Sequence, residues 1–137
     1  MEQCNLKDFS FQHSLKTRWK DLDAFGHVNN AVFLSYVEDA RILFFKRWKI
    51  NYKERSLIVA SAKIDYIKQL KHPTDITIGQ KVSRIGTKSF DIKSAIFNQN
   101  NHLEPYSITT VTSVCFDFLN NKTVEVYSDI KKDYENK

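Results

Sequence analysis

A chain of 137 residues fits one domain and leaves little room for two. Hydrophobic residues make up 42%, including ten Phe, six Tyr and two Trp, enough for an aromatic-rich core, and three Gly and two Pro are too few for a disordered or fibrous chain. The formal net charge of +5 suits anionic ligands, but the basic residues fall in short clusters, which argues against a nucleic-acid interface.

Those clusters are Arg18/Lys20, Lys46/Arg47/Lys49, Lys68/Lys71 and Lys131/Lys132. No apolar run approaches the ~20 residues of a membrane span. The N-terminus lacks the apolar core of a signal peptide, so a soluble, cytoplasmic protein is expected. Cys4 and Cys115 lie far apart in sequence and suggest neither a disulfide framework nor a metal site.

Residues 9–19 alternate apolar and polar, the period of a half-buried strand. His13 falls on the apolar phase and reads as a packed strand residue. Residues 21–29 then concentrate turn formers, with Asp21, Asp23, Gly26, His27 and Asn29 in nine positions. Residues 30–48 carry Phe33, Val37, Ala40, Phe44 and Trp48 at helical spacing. Asn29 or Asn30 suits the N-cap, and the Lys46 cluster suits the C-terminal end of the dipole. Glu38 and Arg41 are spaced to pair along one helical face.

The remainder reads as strands over 57–67, 75–85, 89–97, 106–119 and 123–127. Polar turns separate them at 98–102 and 120–122. The tail from 128 to 137 is polar and is expected to fray or form a short helical turn. One domain over 1–137, with its core about 9–127, is therefore expected. It is of the α+β class: one long helix wrapped by an antiparallel sheet of five to six strands. Such a layer leaves a sheet face and an edge open, which dimerisation would cover.

A carboxylate held at a helix N-terminus can attack an activated carbonyl as base or nucleophile, while the helix N–H groups receive the oxyanion. On residue type alone, Asp23 reads first as a turn aspartate bonding its own backbone. Asp21 reads as structural, bracing the loop or pairing with Arg18. Asn29 and Asn30 are explained by capping.

The pattern D-x-D-x-x-G-H-V-N-N, here Asp21, Asp23, Gly26, His27, Val28, Asn29 and Asn30, is followed by Phe33 and by Glu38, Ala40 and Arg41. It resembles the hot-dog fold thioesterases of the 4-hydroxybenzoyl-CoA thioesterase type. Gly86-Thr87-Lys88-Ser89 is similar to the family's G-x-x-S between two strands. The resemblance implies a hot-dog fold, a long central helix in a curved antiparallel sheet, assembled as a homodimer or homotetramer with active sites at the protomer interface. It implies an acyl-CoA thioester as substrate, no metal, and no cofactor beyond the coenzyme A of that substrate. It casts Asp23 as catalytic base or nucleophile, and Gly26 as the residue of a tight reversal. The Asn30 backbone N–H becomes the oxyanion donor, and His27 and Asn29 become loop residues that shape the site, His27 counted with the catalytic residues and Asn29 with the substrate contacts. Phe33 and Ser89 are added as substrate-contacting positions, and a second catalytic group is expected from the partner protomer, with Asp65 or Ser89 as candidates.

Trp19 and Lys20 stand where many relatives carry a tyrosine, and Phe33 stands where tyrosine is common, so the acyl pocket differs. Three other functions share the fold. One is hydrolysis of acyl carrier protein thioesters, which the positive charge would help. Another is acyl-CoA binding without turnover. The third is a dehydratase or hydratase, which would use His27.

Overall fold

The computed structural model describes residues 4–136. Strand β1 (Phe11–Lys16) leads through a loop into helix α1 (Asn30–Phe44). Then come β2 (Ser56–Tyr66), β3 (Asp75–Ile85), β4 (Ser89–Asn98), β5 (Ser107–Asp117), the short β6 (Lys122–Thr123) and helix α2 (Ser128–Glu135). The sheet order is β1-β3-β4-β5-β2, with β6 beside β5 and every pairing antiparallel. This curled sheet around one long helix is the hot-dog architecture that the sequence motif implies.

The helix forms where its apolar spacing says it should. Asn29 caps it, its Oδ1 accepting the Ala31 N–H at 3.0 Å. After Phe44 the chain tightens into a 3-10 turn over Phe45–Trp48 and stops at Lys49, whose φ of 56° is left-handed. Phe33, Val37, Ala40, Phe44 and Trp48 are all buried, so the stripe read from the sequence is the stripe that packs. Its N-terminal half meets Ile76, Ile78 and Ile96. Its C-terminal half meets Val82, Phe90, Ile92 and Cys115. Trp48 sits edge-on to Phe90 at 5.6 Å, and Phe11 stacks on Phe44 at 5.0 Å.

Both ends of the chain extend the core beyond the expected limits of 9 and 127. Leu6 and Phe9 fold onto the outer face of the sheet against Ala95 and Phe97. Gly79 makes this possible: a Cβ there would lie 2.7 Å from the Phe9 ring. At the other end, the tail is neither frayed nor a single turn. It forms α2, whose Ile130 is fully buried beside Trp48 and Val126. Tyr127, Ile130 and Tyr134 recur at helical spacing and pack on one cluster, and ion pairs Arg47–Asp133 (3.1 Å) and Arg55–Asp129 (3.0 Å) and a hydrogen bond from Trp48 Nε1 to Asp133 dock the helix.

The expected strand over 123–127 shrinks to β6. Beyond it the Val124 and Val126 amides still bond Cys115 O (2.9 Å) and Thr87 O (3.0 Å), but the chain leaves the ladder to bury Val126 in the core. Strand β2 pairs with β5 alone and forms one edge of the sheet. Most of its residues are exposed, including Val59 and Tyr66. No helix among the described residues is long and apolar enough to cross a membrane.

Candidate active site

The turn formers of the loop before α1 fold into a tight, internally bonded structure. Asp23 Oδ1 accepts the Phe25 N–H at 2.8 Å and the His27 N–H at 3.2 Å. The Asp23 N–H donates to His27 O at 2.8 Å, and the Gly26 N–H to Asp23 O at 3.2 Å. This reversal requires a left-handed residue, and Gly26 supplies it with φ of 82°. Asp23 is thus a turn aspartate through one oxygen. Its Oδ2 has no protein hydrogen bond among the described residues, so one carboxylate oxygen remains for other chemistry.

The loop is held from below by Asp21. That buried carboxylate receives the Tyr36 hydroxyl at 2.6 Å, the Arg18 N–H at 3.0 Å and an Arg18 ion pair at 3.0 Å. Its backbone carbonyl accepts the Asn29 N–H at 2.9 Å. Burial pushes the Asp21 carboxyl up, but the hydrogen bonds from Tyr36 and Arg18 outweigh it and hold the group below the usual carboxylate range. The same burial and the facing carboxylate push the Tyr36 phenol far up. On the other side, the Val28 N–H bonds Leu70 O at 2.8 Å and His27 bridges to Lys71, so the loop is also stitched to the segment after β2.

A cleft of about 640 Å³ opens between these parts. Asp23, His27, Asn29, Asn30 and Phe33 line it from the loop and α1, and Tyr66 and Lys68 from the far wall. At the floor is the start of α1. The Ala31 N–H goes to Asn29 Oδ1 and the Val32 N–H to Asn29 O at 2.9 Å, which leaves the Asn30 N–H without a partner in the helix's first turn. That turn holds no acidic side chain to neutralise the positive end of the dipole. The arrangement offers a carboxylate oxygen and a helix N–H to one ligand.

Of the residues picked out from the sequence, Asp23, Gly26, His27, Asn29, Asn30 and Phe33 come together on this loop and helix. Ser89 does not. It starts β4 opposite Val114, whereas the cleft lies where Tyr66 pairs with Ser107, about 23 Å away along β5 at ~3.3 Å per residue. There its hydroxyl accepts from Arg84 at 3.0 Å and its carbonyl takes the Gly86 N–H at 2.7 Å, closing the β3–β4 hairpin. Asp65 is exposed on β2, one residue short of the cleft wall.

Tyr66 and Lys68 are among the cleft residues that were not singled out as site residues. Tyr66 donates its hydroxyl to Asn30 O at 2.8 Å and lies edge-on to Phe33 at 5.3 Å. Lys68, noted only as part of a basic cluster, places its Nζ 3.7 Å from Glu104 and 4.7 Å from the Tyr106 ring. A tyrosine closing a strand-like run, with a lysine two residues on, was the available signal. Among the described residues no group of three or more His, Cys, Asp or Glu gathers as metal ligands.

Comparison with known proteins agrees with this geometry. The Bacillus subtilis (strain 168) protein YsmA is 33% identical over 86 residues, 61% of this chain, and the match spans 58% of that protein's length. Among solved structures, the PA5185 protein of Pseudomonas aeruginosa strain PAO1 superposes with a TM-score of 0.87 at 21% identity, covering 98% of this chain and 96% of its own. A thioesterase from Thermus thermophilus, complexed with coenzyme A and Zn, superposes with a TM-score of 0.78 at 25% identity, covering 93% of each chain. The profile of the thioesterase-like superfamily matches residues 17–133, from just before the Asp21 brace into α2, and the chain belongs to that superfamily.

Proposed function

We propose that this protein hydrolyses acyl-CoA thioesters to free acid and coenzyme A, with Asp23 as the catalytic carboxylate. The observation that carries the reading is the placement of Asp23, with one oxygen unengaged, in the same cleft as the open N–H at the start of α1. As a general base, Asp23 takes a proton from water while the water oxygen bonds to the thioester carbon. The carbonyl oxygen gathers negative charge beside the Asn30 N–H and the helix dipole. Collapse expels the thiolate, a good leaving group, which receives the proton from Asp23. As a nucleophile, Asp23 would instead form an acyl anhydride that water then opens.

Coenzyme A enters as part of the substrate, and the reading calls for no metal or further cofactor. It includes the cytoplasmic setting and the homodimer or homotetramer expected from the sequence. The exposed edge of β2 supports assembly, and Tyr66 brings that edge to the cleft wall.

The test is thiol release from short, medium, long and aromatic acyl-CoA thioesters, wild type beside Asp23→Asn. Turnover that falls by ~10²-fold or more in a folded variant is expected. Equal turnover by the variant would overturn the role of Asp23. Wild-type inactivity on the whole panel would overturn acyl-CoA hydrolysis. Release from carrier-protein thioesters, hydration of enoyl-CoA or binding without turnover would then point to the alternatives.

A further inference from the structure

The far wall of the cleft carries a charge of its own. Among the described residues that line the cleft, Lys68 is the one lysine or arginine and Asp23 the one carboxylate. Lys68 lies two residues past the end of β2, and its N–H bonds Tyr106 O at 3.2 Å, beside the Ile67 N–H on the same carbonyl at 2.9 Å. Two consecutive amides on one acceptor fix the lysine backbone. The side chain then reaches over the Tyr106 ring, with Nζ 4.7 Å from its centre. Tyr106 is itself buried, and its hydroxyl accepts the Asn98 side-chain amide at 3.2 Å. The ammonium is therefore held over a fixed ring.

What this ammonium lacks is a close anion. Glu104 Oε2 lies 3.7 Å away, longer than a charge-assisted hydrogen bond of ~2.7–2.9 Å, and the Glu104 side chain is 74% exposed. An exposed pair at such a distance contributes little and is screened by salt. The three N–H donors of Lys68 thus stand at the cleft wall beside a carboxylate that does not reach them.

We propose that Lys68 determines specificity in this cleft by binding an anionic oxygen group of the substrate, with Glu104 as the resting counter-ion that this group displaces. The inference deepens the acyl-CoA reading above and rests on it. Two parts of such a substrate carry the required chemistry: the phosphates of coenzyme A, and a carboxylate at the far end of the acyl group. Either can approach Nζ to hydrogen-bond length, as Glu104 does not from the connection between β4 and β5. The opposite charges of Lys68 and Asp23 also give the cleft a polarity. An anion is drawn to the far wall and kept away from Asp23.

Steady-state kinetics on the full chain test this with four thioesters of one chain length. A plain acyl group and an ω-carboxyacyl group are each presented on coenzyme A and on N-acetylcysteamine, which has no phosphate. Lys68→Met keeps an unbranched stem over Tyr106 and removes the charge. It should raise KM about tenfold at constant kcat on the thioesters that carry the bound anion, and leave KM unaltered on those without it. A rise on the two coenzyme A substrates alone assigns the anion to the phosphates. A rise on the two ω-carboxy substrates alone assigns it to the acyl carboxylate. Glu104→Gln should lower the same KM about threefold at low salt, and most of that gain should vanish when Lys68→Met is already in place. A KM unmoved by Lys68→Met on all four, an equal rise on the plain N-acetylcysteamine thioester, or a fall in kcat alone overturns the role of Lys68 and leaves the acyl-CoA reading standing. An undiminished Glu104→Gln effect in the double variant makes Glu104 a plain repulsive charge and overturns its part. Wild-type inactivity on all four overturns the proposal together with the reading it rests on.

Discussion

Tyr36 donates its phenolic proton to Asp21 Oδ2 across 2.6 Å, with both groups buried between the loop and the second turn of α1. Arg18 satisfies the rest of the carboxylate, and the Asp21 backbone holds Asn29, the helix cap. One residue thus fixes the loop, the cap and the approach to Asp23. Tyr36→Phe keeps the ring and removes the hydroxyl, leaving a buried carboxylate short of a donor. Hydrogen bonds to charged groups contribute ~1.5–3 kcal/mol, so urea denaturation should show a loss near 2 kcal/mol with an unchanged slope. A variant as stable as the wild type would remove Asp21 from this bracing role.

The same brace sets an acid limb. The folded state holds the Asp21 carboxyl below its unfolded value, so it binds a proton less readily than the unfolded chain does. The stability this contributes is complete above the unfolded value of 3.8 and is lost as pH falls through the lower folded value. Asp91 behaves alike: burial pushes it up, and Arg84 and Thr112 more than offset that. Melting temperature followed from neutral pH down to about 2 should therefore fall steeply below about 4. Asp21→Asn should begin less stable and fall less steeply, with Asp91 and Asp117, whose carboxyl is lowered by hydrogen bonds from Asn120, supplying the remaining slope. Parallel curves for the two proteins would contradict the assignment.

Gly26 isolates a backbone effect. Its φ is 82°, and a Cβ placed there meets nothing within 4 Å, so Gly26→Ala adds left-handed strain without a clash. That strain costs ~1–2 kcal/mol. The Gly26 N–H also holds Asp23 O, so the strain falls on the turn that presents the carboxylate. Gly26→Ala should lose stability in this range together with turnover, while Gly26→Asn, which tolerates αL better, should lose less of both. Equal behaviour of the two variants would show that the left-handed conformation is not what the position demands.

The long helix was legible because Phe33, Val37, Ala40, Phe44 and Trp48 repeat at its period and all face one core. The loop was legible because its turn formers crowd into nine positions and its cap lies directly before the apolar run. What escaped depends on pairs distant in sequence. Tyr36 and Asp21 are brought together only once the loop lies back on α1, and Tyr36 alone reads as one more apolar helix position. Ser89 was picked out by motif, and the long ladders of β4 and β5 place it away from the cleft of its own chain. Arg41 and Glu38 had the spacing of a helical pair, but Arg41 is buried and Glu38 exposed, and no ion pair joins them among the described residues. The tail shows the reverse limit: Tyr127, Ile130 and Tyr134 span too few turns for their spacing to stand out among charged neighbours, yet they anchor a whole helix when ion pairs steer it.

Tyr66 joins the edge strand to the N-terminal end of α1. Its hydroxyl donates to Asn30 O at 2.8 Å, and its ring rests against Phe33, yet the residue as a whole is 45% exposed. Surface changes of this kind usually move stability within about 0.5 kcal/mol, so the phenol is not needed to keep the fold. It does fix the first peptide of α1, next to the N–H proposed to receive the oxyanion. Tyr66→Phe retains the ring contact and releases this tether. One neutral hydrogen bond contributes ~1 kcal/mol, so kcat on the best acyl-CoA substrate should fall about fivefold. KM should stay nearly constant, because the cleft walls are unchanged and only the donor's placement loosens. A fall in melting temperature equal to that of a core substitution, or a rise in KM at constant kcat, would instead mark Tyr66 as a structural or binding residue.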